Sequence, residues 1–327
     1  MLTRFSGAGG RPAGTGERLI SMPLFETIVL PLDGSEPSES AIPYAAALAE
    51  LTSAPIVVIH VLEEMHPVFD ARRGEVVWIS PDQSRVELEA PELLAEPIGR
   101  LRNDGLTVRA VFRLGDPDAE ILAEVERWPA PLIVMASHGR GGLKRLLLGS
   151  VADRVVREAP APVLVVPAAS PSEQPVRVRF RTLLVPLDGS PLAEHALPAG
   201  MELARLARAG LTLVRVVDTH KGLAGGDEPE QFEREAEAYL RQKAETLAGP
   251  PERTILWQVL SGEPGEQLRR FITARQPDLV VMVTRGRGGL GRWLLGSVAE
   301  DLLTSRAAPL LLLRARDDTS QQPTSEV

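Results

Sequence analysis

The sequence predicts an α/β protein made of two tandem domains, each an open, doubly wound parallel sheet. Three observations carry this expectation. Apolar runs of the buried-strand type alternate with helical patterns along the 327 residues. The same segments recur in two half-length copies. In each copy a glycine-bearing loop separates an apolar run from a helical pattern, at the same place.

Residues 1–23 carry Gly, Arg and Pro without an apolar period. They read as a disordered tail, or as sequence upstream of a start at Met22. The first domain is expected over 24–168. Its strand-type runs, at 27–32, 55–61, 107–113, 132–136 and 163–166, are rich in Val, Ile and Leu and show little polar alternation. Helical patterns lie between them at 36–51, 84–103, 116–126 and 150–158. Ser and Pro mark residues 169–179 as a linker. The second domain, 180–316, repeats the order with strands near 182–187, 211–217, 254–260, 279–283 and 310–313. Residues 317–327 form a polar tail. Five strands with alternating helices predict a Rossmann-like or flavodoxin-like core of order 3-2-1-4-5, with its ligand crevice beyond the strand C-termini. The last strand of each domain is short, apolar and flanked by Pro, an edge that needs covering.

The duplication can be followed by offset. Phe25-Glu-Thr-Ile-Val-Leu-Pro-Leu-Asp-Gly-Ser35 matches Phe180-Arg-Thr-Leu-Leu-Val-Pro-Leu-Asp-Gly-Ser190, 155 residues on. Leu114-Gly-Asp-Pro117 matches Ser261-Gly-Glu-Pro264 at an offset of 147, and the glycine loops keep that offset. The first copy is therefore longer by 8 residues (155 − 147), and the polar stretch 66–91 is the expected place. Repeats of this length are whole domains rather than solenoid units.

Composition narrows the function. Apolar residues make up 44% of the chain, enough for two cores. No run approaches a membrane span and no signal-type segment follows the N-terminus, so a cytoplasmic location is expected. With no Cys there are no disulfides, zinc–thiolate sites or thiol nucleophiles. A net charge of −8 argues against general nucleic-acid binding. The histidines show no HExxH or i,i+4 spacing, and there is no Gly-x4-Gly-Lys-(Ser/Thr) and no Gly-x-Ser-x-Gly. His60 ends a strand-type run and reads as a core or crevice residue.

The glycine loops carry the chemistry. Residues 134–151 read Val-Met-Ala-Ser-His-Gly-Arg-Gly-Gly-Leu-Lys-Arg-Leu-Leu-Leu-Gly-Ser-Val, and 281–298 read Val-Met-Val-Thr-Arg-Gly-Arg-Gly-Gly-Leu-Gly-Arg-Trp-Leu-Leu-Gly-Ser-Val. A strand, a glycine loop and a helix N-terminus together favour an anion, through unpaired backbone N–H groups and the helix dipole. Two readings stand at this point. The glycines let a backbone approach a phosphate, or they form a tight structural turn. Ser297-Val-Ala-Glu300 is a capping box and Ser150-Val-Ala-Asp153 approximates one, so each Ser is a cap or a ligand. Arg140, Arg145, Arg287 and Arg292 meet phosphates or are solvated. His138, replaced by Arg285 in the second copy, fits a phosphate contact or a solvated position better than acid–base catalysis.

On these motifs the chain resembles the universal stress protein family in its tandem, ATP-binding form. The family spacing Gly-x2-Gly-x9-Gly-(Ser/Thr) is matched by Gly139, Gly149 and Ser150, and by Gly286, Gly296 and Ser297. Ala136 and Val283 stand where the family has its first glycine. Ala adds one methyl group, whereas β-branched Val crowds the sugar, so the first site is expected to bind more tightly. The resemblance implies that Asp33 and Asp188 face the nucleotide and that Val61 and Val216 meet adenine through their backbones. Pro31, Met135, Arg140 and Val151 complete the expected set in the first copy. Pro186, Met282, Arg287 and Val298 are their counterparts. The implied cofactor is ATP, with Mg²⁺ at its phosphates. The implied assembly is an internal pseudo-dimer through the last strands, with homo-oligomers possible. No catalytic residue and no protein-built metal site is assigned.

Three functions follow from this reading. The first is a nucleotide-binding sensor or regulator of the stress response. The alternatives are a slow Mg²⁺-dependent ATPase or phosphotransferase, and a scaffold with degenerate sites. Binding is favoured, because the sequence supplies a phosphate cradle but no evident base to activate water.

Overall fold

The computed structural model describes residues 3–4, 24–63, 66–70, 75–79, 92–139, 148–169, 177–218, 229–248, 255–284 and 295–314. Strand β1 (Thr3–Arg4) precedes two repeats. The first contains β2 (Thr27–Pro31), α1 (Glu36–Glu39), α2 (Ile42–Thr52), β3 (Ile56–Leu62), β4 (His66–Asp70), β5 (Glu75–Ile79), α3 (Ala95–Asn103), β6 (Val108–Leu114), α4 (Pro117–Val125), β7 (Pro131–Ala136), α5 (Ser150–Glu158) and β8 (Val163–Val166). The second contains β9 (Thr182–Pro186), α6 (Pro191–Glu194), α7 (Ala196–Ala207), β10 (Gly210–Val217), α8 (Pro229–Leu247), β11 (Ile255–Ser261), α9 (Pro264–Arg275), β12 (Leu279–Thr284), α10 (Ser297–Ser305) and β13 (Leu310–Arg314).

One eleven-stranded sheet runs through both repeats, in the order β1-β11-β10-β9-β12-β13-β8-β7-β2-β3-β6. Within each repeat this is the expected 3-2-1-4-5 order, all parallel. The two short apolar edges cover each other. β13 pairs antiparallel with β8, with Leu310 opposite Val165 and Leu312 opposite Val163. The pairing leaves neither edge exposed and relates the repeats by an approximate two-fold axis.

Successive strand residues enter opposite layers. Ile28, Leu30, Ile56, Val58, Leu132 and Val134 pack with α2 in one layer. Val29, Val57, Ile59, Ile133 and Met135 pack with α4 and α5 in the other. Both faces are covered, which is why the runs read as continuously apolar.

The structure departs from the sequence reading in four places. The helix expected over 36–51 is two, α1 and α2, because Pro43 sits in the first turn of α2 and cannot donate to a preceding turn. Pro198 divides α6 from α7 in the same way. The extra eight residues fall between β3 and β6, the interval that contains the expected stretch, since Leu62 pairs with Leu114 while Val217 pairs with Ser261. The β4–β5 hairpin lies in that interval and was not expected from the sequence. Finally, Thr3–Arg4 of the expected tail pairs antiparallel with Leu256 and Trp257 on β11. The first part of the helix expected at 84–103, and linker residues 170–176, lie outside the described residues.

Candidate functional site

The C-terminal ends of β2, β3 and β7 in the first repeat open onto a cavity of about 550 Å³, closed at one end by the N-terminus of α5. That volume is in the usual range for a small-molecule site. Pro31, Asp33, Val61, Met135, Ala136, Gly139, Gly149, Ser150 and Val151, all singled out from the sequence, line this one cavity. Arg140 lies outside the described residues, as do Lys144 and Arg145.

The sequence order explains how they converge. β2 ends at Pro31 opposite Ile59, and the amide of Leu32 donates to the Ile59 carbonyl at 2.9 Å. The polar groups of Ile59 therefore point toward β2. Those of Val61, two residues on, point the same way, where β2 no longer runs alongside. Its backbone edge faces the crevice, beyond the end of the β2 pairing. Val216 has the same register, since β9 ends at Pro186 opposite Val214.

Asp33 turns the chain from β2 into α1. Its Oδ1 accepts from the Ser35 amide at 2.9 Å and from the Ser35 hydroxyl at 2.5 Å, while Ser35 caps α1. Oδ2 lies against Gly139, where an added Cβ would stand only 2.2 Å from it. Gly139 is thus required for the carboxylate to reach the cavity floor.

The N-terminus of α5 differs from the capping-box reading. Its N-cap is Gly149, and Ser150 is the first helical residue; Gly296 and Ser297 stand likewise in α10. Neither serine caps its helix. The Gly149 amide is already bonded to the Ser137 carbonyl at 2.9 Å, and an added Cβ would lie 3.2 Å from that oxygen. Gly149 therefore lets the loop close on the end of β7, and its own N–H is not a ligand donor. The donors are the next three amides. Asp153 is the first to find an i−4 acceptor, the Gly149 carbonyl at 2.8 Å, so Ser150, Val151 and Ala152 have none within the helix and line the cavity. Aligned amides and the helix dipole favour negative charge at this end.

Two histidines line the same cavity. His60 is 3% exposed, and its Nδ1 contacts the Leu32 carbonyl at 2.6 Å, which places the ring proton on Nδ1. It is both core and crevice. The Nδ1 of His138 lies 3.2 Å from the Ser137 hydroxyl, and Arg306 of the second repeat lies 2.8 Å from Nδ1 and 2.9 Å from Nε2. His138 is therefore not simply solvated.

The second crevice is built differently. Gly286 and Arg287 lie outside the described residues, whereas Asp188, Val216, Met282, Val283, Gly296, Ser297 and Val298 are placed at the corresponding ends of β9, β10, β12 and α10. At the offset of 155 from His60 stands Arg215. Its guanidinium covers the Asp188–Gly189 turn, 2.8 to 3.1 Å from where a Gly189 Cβ would be, and sits 5.0 Å from the Tyr239 ring. The Tyr239 hydroxyl donates to Glu194 at 2.9 Å, and Lys243 reaches the other Glu194 oxygen at 2.6 Å. Burial first, then the bond to Glu194, holds the Tyr239 phenol far above its ordinary range. Aligning the two repeats at residues 60 and 215 carried the signal for this difference. Among the described residues, no group of three His, Asp or Glu is placed to hold a metal ion.

Residues 24–167 and 179–314 each match the Universal stress protein family. A universal stress protein of Mycobacterium tuberculosis is 32% identical over 301 residues, which covers 88% of this chain and 96% of that protein. One from Mycolicibacterium smegmatis is 31% identical over 303 residues, 88% of this chain and 97% of that protein. Among solved structures, a universal stress protein from Archaeoglobus fulgidus superposes with a TM-score of 0.68 at 23% identity, covering 88% of this chain and 98% of its own.

Proposed function

Since the chain belongs to the universal stress protein family and carries two of its domains, we propose that it is an ATP-binding regulator or sensor, with its principal site in the first repeat. One observation carries this reading. The cavity ends on three consecutive amides, Ser150 to Ala152, that the helix leaves without acceptors. That end suits phosphates, and the remaining walls suit a base and sugar. Ile59, Ile121 and Met135 give apolar faces, and the open backbone edge of Val61 offers hydrogen bonds to an adenine ring. Ala136 is 6% exposed at the end of β7, small enough for a sugar to lie against it. These features fit the nucleotide.

Asp33 is a carboxylate that lines the same cavity as the α5 N-terminus, and a Mg²⁺ ion entering with ATP would find it there. The ion would neutralise phosphate charge, and the protein's own part is to hold the anion by backbone donors. A regulator of this kind acts through the difference between its filled and empty states. Among the described residues no helix is long and apolar enough to cross a membrane.

The test is calorimetric titration of ATP into the wild type and Gly149→Val. A valine Cβ would lie 3.2 Å from the Ser137 carbonyl oxygen, closer than ordinary contact, and its two methyl groups add to the crowding, which shifts the α5 N-terminus. Binding by the wild type and loss of more than about tenfold in the variant support the cradle, at about 1.4 kcal/mol per tenfold. Equal affinities overturn it.

A further inference from the structure

The antiparallel junction has a consequence for the cavity. Because β13 starts beside the end of β8, the last turn of α10 lies over the C-terminal end of β7, where His138 and Gly139 enter the site. Arg306 ends that turn, and a single nitrogen of its guanidinium, Nη2, lies across the His138 ring, 2.8 Å from Nδ1 and 2.9 Å from Nε2. His138 also contacts the Ser137 hydroxyl, which accepts from the Ala168 amide at 3.1 Å, so the ring is anchored to the sheet. The two-fold relation places Ala159 at the matching position over the second crevice. Ala159 precedes Pro160 and is extended, with φ −60° and ψ 132°, whereas Arg306 is left-handed, with φ 52°. Only the first site has a cation delivered from the other repeat at this position.

The ring is a poor final partner for this cation. A neutral imidazole offers a single lone pair, whereas a guanidinium carries a forked set of donors suited to two oxygens at once. The cavity that His138 lines also holds the amides of Ser150 to Ala152, which the helix leaves without acceptors. We propose that Arg306 is a phosphate-binding residue of the first site, supplied across the domain boundary: held by His138 in this state, it moves its donors to a polyphosphate bound at the α5 N-terminus. This rests on the nucleotide reading above and deepens it, since it makes the first site dependent on the second repeat.

The experiment uses the full chain, with ATP, adenosine and inorganic tripolyphosphate as separate calorimetric probes. Arg306→Gly removes the side chain and keeps a residue at ease in the left-handed C-cap, so its thermal midpoint is expected to be unchanged or higher. ATP and tripolyphosphate should each bind about tenfold more weakly, as expected for loss of a charge-assisted contact, and adenosine within about twofold of wild type. Arg306→Lys should recover part of the loss. Equal weakening of ATP and adenosine, or no change in either, overturns the proposal while the nucleotide reading stands. Arg306-dependent tripolyphosphate binding without ATP binding overturns the nucleotide reading alone. If the wild type binds neither probe, both fall.

Discussion

Replacing Gly139 by Ala tests whether the Asp33 carboxylate is packed where the structure puts it. The added Cβ would lie 2.2 Å from Oδ2 and 3.1 Å from Cγ, and ordinary contact begins at 3.4 Å. One side must therefore move by about 1.2 Å (3.4 − 2.2). Asp33 has little room to retreat, because Oδ1 is bonded to the Ser35 amide and hydroxyl at 2.9 and 2.5 Å. Rotating the carboxylate loses at least one hydrogen bond to a charged acceptor, worth roughly 1.5–3 kcal/mol, within the range for overpacking. Urea unfolding monitored by circular dichroism should show Gly139→Ala destabilised by about 1.5–3 kcal/mol, partly offset by the lower entropy of the unfolded alanine chain. In an Asp33→Ala background the same change should cost less than about 0.5 kcal/mol, a coupling well above additivity error. An equal cost in both backgrounds would show that the clash is not with Asp33.

Ser150→Ala should leave stability within about 0.5 kcal/mol, since Ser150 is not the cap, and should weaken ATP by about 0.5–1.5 kcal/mol if its hydroxyl donates to phosphate; titration and melting on one sample separate the two effects. Glu124→Ala should destabilise by about 2–4 kcal/mol in urea, because the 3% exposed carboxylate is bonded to Arg113 at 2.6 Å and Trp128 at 3.1 Å, and its loss strands both partners. The first site should bind ATP more tightly than the second, where Val283 replaces Ala136 and Arg215 covers the turn, so Gly149→Ala should abolish more binding than Gly296→Ala. Burial pushes the Glu194 carboxyl up, but bonds from Lys243 and Tyr239 outweigh it and hold it below its ordinary 4.5. The stability it contributes is therefore complete above that ordinary value and is lost as pH falls through the lower folded value, so Glu194→Gln should flatten the acid limb of a pH–stability curve.

Much of the fold could be read from the sequence, because the strands are buried on both faces. A run such as Ile56–Leu62 has no polar alternation to confuse its period, and its observed bounds differ by one residue from the expected ones. That the last strands need covering was legible from two short apolar edges flanked by Pro, and that they cover each other was implied by the family resemblance. What could not be read depends on tertiary packing. The sequence makes Ser150 look like a cap, yet the Gly149 amide bonds to Ser137 and moves the cap back one residue. The break between α1 and α2 was signalled by Pro43, and a helical period running across it hid the signal. The asymmetry of the two crevices was spelled out by His60 against Arg215, but only the placement of the Arg215 guanidinium over Gly189 gives that substitution a meaning. Arg306 lies 168 residues from His138, and no local pattern connects them.

The central claim is that the first repeat holds ATP by backbone donors at the α5 N-terminus. Equilibrium dialysis of the purified chain against labelled ATP with Mg²⁺, with bound nucleotide and ADP both quantified by chromatography, tests it most directly. One tightly held ATP per chain is expected, lost in Gly149→Val, with a weaker second equivalent and little ADP formed. No retained nucleotide at saturating ATP, or retention unchanged in Gly149→Val, would contradict it.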